Sequence, residues 1–194
     1  MQGQNKSNNW KIFLTGAIVI SSLLFVVLTG IGAASGDRTA VIETNRGTIR
    51  ISLALKDAPI TAGNFIKLVE SGFYNGLTFH RVEPRFVVQG GDPRGDGTGG
   101  AGKEIKLEIK CKDGRIIVGR IAPRNCVPVL RHRVGVLSMA RANEPNSASS
   151  QFFIVIGKAS FLDRKYAAFG RVIEGMDVVN SLRVGDKMVK VEME

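Results

Sequence analysis

Two short apolar runs, residues 77–82 and 86–89, are separated only by Glu83, Pro84 and Arg85. Proline lacks a backbone donor and fixes its own φ, so the tripeptide reads as a turn and the flanking runs as an antiparallel strand pair. Residues two apart on a strand share a face, which sets Arg81 with Phe79 and Gln89 with Val87. A cation and an amide placed among apolar groups call for an anionic or carbonyl partner. In the loop that follows, Gly95, Gly97 and Gly100 match the G-x-G-x-x-G spacing. Beyond it Ile105, Leu107 and Ile109 alternate with charge, a strand period where a dinucleotide fingerprint needs a helix, and no Gly-Lys-Ser/Thr follows for a phosphate loop. Taken alone, the stretch is equally compatible with a turn-rich loop beside a salt-bridged strand arginine.

A chain of 194 residues, 44% hydrophobic, can build one good core and has little room for two. Its formal net charge of +10 points toward nucleic acid or an anionic membrane. Aromatic residues are only 7%, and no RNP-like or zinc-finger spacing accompanies the charge, so no nucleic-acid partner is expected. Between residues 103 and 133 nine Lys or Arg stand against three acids, which concentrates the positive charge in one solvated or membrane-facing surface.

Residues 1–11 form a polar tail, and residues 12–34 carry no charge. At about 1.5 Å per residue that run is long enough to cross about 30 Å of hydrocarbon. Lys6, Lys11 and the small residues Gly32, Ala33, Ala34 and Ser35 also suit a cleaved signal. The run exceeds the usual signal core of about 7–15 residues, which favours an uncleaved anchor, with secretion after cleavage as the alternative. The expected organisation is a tail (1–11), a transmembrane anchor or signal (12–34), a linker (35–38) and one domain (39–194). Arg38, Arg46 and Arg50 nearly balance the positive-inside count, and the short tail argues for a single-pass protein of the cell membrane with its domain on the exported side.

Within the domain, strands are expected at 39–44 and 48–53 across an Asn45-Arg46-Gly47 turn, at 103–110, at 136–140 and 151–155 around a polar loop, at 171–173 and at 188–193. Thr61 is expected to cap a helix running to Ser71, with Phe65, Ile66 and Val69 inward and Gly72 just past its end; a second helix is expected at 176–182. Roughly eight strands and two helices without a β-α-β rhythm predict a mainly β fold, a closed eight-stranded antiparallel barrel capped by two helices. Cys111 and Cys126 flank a turn signal at Asp113-Gly114, and in an exported domain the pair is most simply a disulfide; two reduced cysteines facing a cytosol are the alternative. Two cysteines and two separated histidines, His80 and His132, do not make the usual closed zinc site, so no metal is expected.

From Thr39 to Glu194 the chain resembles the cyclophilin family of peptidyl-prolyl cis-trans isomerases. The resemblance is carried by Phe79-His80-Arg81-Val82 with Phe86-Val87-Val88-Gln89-Gly90-Gly91-Asp92, by Gly135-Val136-Leu137-Ser138-Met139-Ala140 with Ser150-Gln151-Phe152-Phe153-Ile154, and by Phe169-Gly170-Arg171-Val172-Ile173-Glu174-Gly175-Met176. It implies an eight-stranded barrel with two capping helices, Arg81 as catalytic residue, and a proline pocket of Phe86, Val87, Gln89, Gln151, Phe153, Phe161, Leu162 and Tyr166. Ala140, Arg141 and Ala142 would hold the peptide backbone before the proline. Val87, Phe161, Tyr166 and Arg141 stand where the best-known eukaryotic members have methionine, tryptophan, histidine and asparagine, a pattern similar to bacterial and archaeal members and one that implies weak binding of cyclosporin. The expected substrates are proline-containing polypeptides, turned over by a monomer without cofactor. A non-catalytic proline-binding chaperone or a membrane-associated scaffold is the alternative.

Overall fold

The computed structural model describes residues 38–194, and the apolar run at 12–34 lies outside the described residues. Strands β1 (Arg38–Thr44) and β2 (Gly47–Leu53) form the expected hairpin, in register from Arg38 opposite Leu53 to Thr44 opposite Gly47. Ala40, Ile42, Ile49, Ile51 and Leu53 point inward and are fully buried, the period of two that the alternation predicted.

Helix α1 (Pro59–Glu70) starts before the expected Thr61 cap. Its N-cap is Ala58, which offers no side-chain acceptor, and proline occupies the first turn, where its missing N–H costs nothing. The acceptor comes from far along the chain: the Glu108 carboxylate receives the N–H of Ile60 at 3.0 Å and of Thr61 at 3.1 Å, and the Thr61 hydroxyl at 3.3 Å. Glu108 was expected on the charged side of a strand over 103–110. It is instead buried beneath α1, and the strand there shortens to β5 (Glu108–Lys110), paired with β6 (Ile116–Val118). Burial raises the Glu108 carboxyl above its ordinary value, partly offset by the bonds from Thr61 and Ile60.

The remaining elements are β3 (Arg81–Glu83), β4 (Val87–Gly90), β7 (Val136–Met139), β8 (Phe152–Val155), a 3-10 turn (Ser160–Leu162), β9 (Ala168–Glu174), α2 (Met176–Ser181) and β10 (Met188–Met193). Eight strands form one antiparallel sheet in the order β10-β1-β2-β9-β7-β8-β4-β3. The sheet curls round a core in which Phe65 of α1 meets Tyr74, Phe152 and Phe169 at centroid distances of 5.0, 5.4 and 5.3 Å.

The expectation of a closed barrel is corrected: the barrel is open between β3 and β10. Residues 77–79, expected to extend the β3 ladder, leave it and reach across the seam. There Phe79 N–H bonds Asp186 O and Met188 N–H bonds Leu77 O, with a single bridge between Thr78 and Lys187. In the turn before β10 the Asp186 carboxylate accepts from Asn45 Nδ2, Arg46 Nε and the Arg183 N–H. Among the described residues no helix is long and apolar enough to cross a membrane.

Cys111 and Cys126 are joined by a disulfide that sits in a small satellite core with Leu107, Ile109, Ile117, Ala122 and Ala167. The link closes a loop of 15 residues, which on the chain-entropy account is worth about 3 kcal/mol. Replacing both cysteines by serine is expected to lower the unfolding free energy by about that amount in urea titrations; an unchanged midpoint would show that the loop is ordered without the link.

Candidate active site

The order of the sheet puts β3, β4, β8 and β7 side by side, and one cross-strand row runs through all four. Arg81 stands opposite Gln89, Gln89 opposite Phe153, and Phe153 opposite Ser138. Residues facing each other in a ladder share a side of the sheet, here the side away from the main core. Val87, Val136 and Val155 lie on that side too, with Ala159, Leu162 and Ala168 packed against them. Strand β8 is therefore buried on both faces, Phe152 and Ile154 in the main core and Phe153 and Val155 under the site. That is why it reads as an unbroken apolar run.

A recess of about 310 Å³ opens over this row, lined by Arg81, Phe86, Val87, Gln89, Ala140, Arg141, Phe153, Phe161, Leu162 and Tyr166. A second groove of about 330 Å³ shares Gln89, Ala140 and Arg141 with it and adds Ala142 and Gln151 together with Gly97, Gly99 and Glu104. All the site residues expected from the sequence thus come together in two adjoining depressions. Phe161, 58% exposed, stacks on Phe86 at 5.4 Å and forms the outer rim. Arg141 folds back over the Tyr166 ring at 4.5 Å while donating to the carbonyls of Lys165, Ala142 and Asn143, which ties the 141–143 loop to the pocket wall.

Arg81 is held by a chain of amides. Its Nη1 donates to Gln89 Oε1 at 3.1 Å, Gln89 Nε2 donates to Gln151 Oε1 at 2.9 Å, and Gln151 Nε2 donates to the carbonyls of Gly97 and Gly99 at 2.9 and 2.8 Å. Glu83 lies 3.5 Å from Nε and the Phe86 ring 5.7 Å from Cζ. Among the described residues, the second terminal nitrogen of the guanidinium makes no hydrogen bond. The glycine loop that ends this chain is itself folded round the buried Asp92, whose carboxylate accepts the N–H of Arg94, Asp96 and Gly97. Burial alone would raise the Asp92 carboxyl, but the N–H groups of Arg94, Gly97 and Gly99 outweigh it and hold it below its ordinary value. A Cβ on Gly99 would fall 2.0 Å from the Asp92 oxygen, so only glycine closes the loop. Sequence spacing showed these glycines; the carboxylate that gathers them and the amide they hold were not legible in it.

Sequence reading also missed what supports Phe153 from below. The His132 ring lies parallel to it at 6.1 Å. His132 Nδ1 donates to Asp163 at 3.0 Å and Nε2 accepts from the Ser138 hydroxyl at 2.9 Å, while Asp163 also receives the His132 backbone N–H and Arg131 Nε. The Asp163 carboxylate can only accept, which puts a proton on Nδ1, and in the neutral ring that burial favours Nε2 is left as the acceptor. Although serine, histidine and aspartate are aligned as in a hydrolase, Ser138 is wholly buried and no substrate atom can reach it, so the alignment serves to hold the pocket floor. Burial lowers the His132 imidazole below its ordinary value against the pull of Asp163. A histidine depressed in the folded state binds fewer protons there than when unfolded, so its contribution to stability is complete above about pH 6.5 and is lost as pH falls toward the folded value. Asp163, held low by the same bonds despite its burial, adds its own loss only on further acidification. The urea midpoint is therefore expected to fall between about pH 7.5 and 5.5, and His132→Gln to flatten that slope; equal slopes in both proteins would exclude His132 as its source.

The family model described as cyclophilin type peptidyl-prolyl cis-trans isomerase/CLD matches residues 39–193. Similar curated proteins include a peptidyl-prolyl cis-trans isomerase of Synechococcus elongatus, 44% identical over 156 residues that cover 79% of this chain and 94% of the relative. One of Helicobacter pylori is 39% identical over 149 residues, 76% of this chain and 81% of the relative. Among solved structures, a cyclophilin type peptidyl-prolyl cis-trans isomerase of Cryptosporidium parvum, crystallised in the presence of the dipeptide Ala-Pro, superposes with a TM-score of 0.66 at 28% identity, covering 80% of this chain and 98% of its own. The two bacterial relatives fit the prokaryotic pattern read from the sequence.

Proposed function

Because the chain belongs to the cyclophilin-type peptidyl-prolyl cis-trans isomerase family and is an enzyme of that class, we propose that the recess over the Arg81-Gln89-Phe153 row is where a proline ring is buried and its preceding amide is rotated. Rotation about an X–Pro bond is opposed by a barrier of about 20 kcal/mol, and its timescale of tens of seconds can limit folding. No bond is made or broken, so neither a nucleophile nor a titrating base is needed. At the twisted geometry the nitrogen regains its lone pair and becomes an acceptor. Phe153, Val87 and Leu162 keep water from the ring, and Arg81 directs its uncommitted N–H at that nitrogen. Gln89 occupies one side of the guanidinium and leaves the other for substrate. The donor is worth most when the amide is twisted, which is the condition for lowering a barrier rather than tightening binding.

The observation that carries this reading is the Arg81 guanidinium, anchored through Gln89 at the lip of an apolar recess with a donor to spare. The wider role we propose follows the sequence: a monomer at the cell membrane, held by residues 12–34, that assists folding of exported or membrane-proximal proteins, with a secreted form after cleavage as the alternative. In a protease-coupled assay on an Ala-Pro peptide, Arg81→Ala is expected to lower kcat/KM by about two decades, or about 2.7 kcal/mol, with its urea midpoint unchanged; equal activity would remove Arg81 from the mechanism.

Phe161 offers no indole N–H at the rim, so cyclosporin is expected to bind weakly and Phe161→Trp to tighten it. Titration calorimetry of both proteins checks this, and equal affinities would show that residue 161 does not set it.

A further inference from the structure

A third recess, of about 500 Å³, continues the active site along the outer side of α1. The helix contributes Ile60, Asn64, Lys67 and Leu68 to it, and the facing segment contributes Lys103 and Lys106. Glu104 lines both this recess and the groove that holds Ala140, Arg141 and Ala142. The joint between them is fixed. Asn64 Nδ2 donates to Ser149 O at 2.8 Å, Ser149 Oγ donates to Lys103 O at 2.8 Å and accepts from Ala101 N at 3.0 Å, and Ile105 N donates to Ala148 O at 2.7 Å. Pocket, groove and recess are therefore parts of one framework of strands, loop and helix.

The chemistry of the recess differs from that of the pocket. Lys67, Lys103 and Lys106 are exposed, and among the described residues none of the three forms an ion pair. Between them lie Ile60, 38% exposed, and the partly buried Leu68. Cations spaced round an apolar strip fit an extended segment that carries acids with an apolar residue between them. Glu104 repels an acid at the joint itself, so the acids must lie beyond it.

We propose that this recess is a substrate subsite, which selects proline-containing segments bearing acidic residues several positions before the proline. The direction rests on the proposed function, in which Ala140, Arg141 and Ala142 hold the chain preceding the proline and the recess lies past them. Exposed lysines recognise charge rather than shape, so the preference falls with added salt.

The test uses the full chain in detergent with three kinds of peptide sharing one Ala-Pro core. One is a tetrapeptide that fills only the pocket, one is a series in which a Glu-Glu pair is moved stepwise upstream, and one is the same series with Lys-Lys. Exchange is followed by NMR at low salt. The best Glu-Glu peptide is expected to exceed its Lys-Lys counterpart about tenfold in kcat/KM, through KM. In the variant Lys67→Glu, Lys103→Glu, Lys106→Glu that order reverses while the tetrapeptide is turned over as before. Equal rates for the two series, or a preference that survives in the variant, would overturn the proposal. Failure on the tetrapeptide would instead contradict the proposed function, and anisotropy binding of the labelled series then decides the subsite separately.

Discussion

A guanidinium beside an apolar pocket must be held firmly enough to stay aimed and yet keep one donor free. The structure meets both conditions with a single row of the sheet. Arg81, Gln89, Phe153 and Ser138 come from two strand pairs, β3-β4 and β7-β8, that are far apart in sequence, and the ladder brings all four side by side. Gln89 takes one N–H of the guanidinium and passes the restraint to Gln151, which ends on two glycine carbonyls. Those carbonyls point inward because the buried Asp92 carboxylate has drawn the N–H groups of its own loop around itself. In the proposed function the cation, the amide relay and the apolar floor are thus held in place before substrate arrives, so that an electrostatic contribution to the barrier would need no reorganisation.

The same economy governs the far side of the pocket. Phe153 is covered above by whatever enters the recess and below by the His132 ring, whose two nitrogens are occupied by Asp163 and Ser138. Asp163 follows directly on Leu162, which lines the pocket, so the bond that orients the histidine also sets the 3-10 turn. The disulfide acts at one remove. It anchors the satellite core containing Ala167, next to Tyr166, and Ala122 N–H bonds the Arg164 carbonyl in the same loop.

Much of this was legible in the chain. The proline between two apolar runs announced the β3-β4 pair, period-two alternation placed β1, β2 and β10, and the family resemblance placed the pocket residues. What escaped were contacts that one long-range partner decides. The Glu108 carboxylate looked like one more charge on an alternating strand, and only the fold shows that it replaces the missing cap of α1. The expected closed barrel failed at residues 77–79, where the side-chain pattern continues a strand while the backbone crosses to the other edge of the sheet. Glu104 and the lysines near it looked like part of a solvated basic segment, because sequence does not reveal that they face α1 across a recess.

The central claim is that Gln89 acts through Arg81 rather than on the substrate by itself. A double-mutant cycle measures this most directly: kcat/KM on a short Ala-Pro peptide for Arg81→Ala, Gln89→Ala and the pair. The account predicts strong non-additivity, with the double variant no slower than Arg81→Ala alone, because an amide with no guanidinium to hold has nothing left to contribute. Additive losses would contradict it and would make Gln89 an independent contact to the substrate.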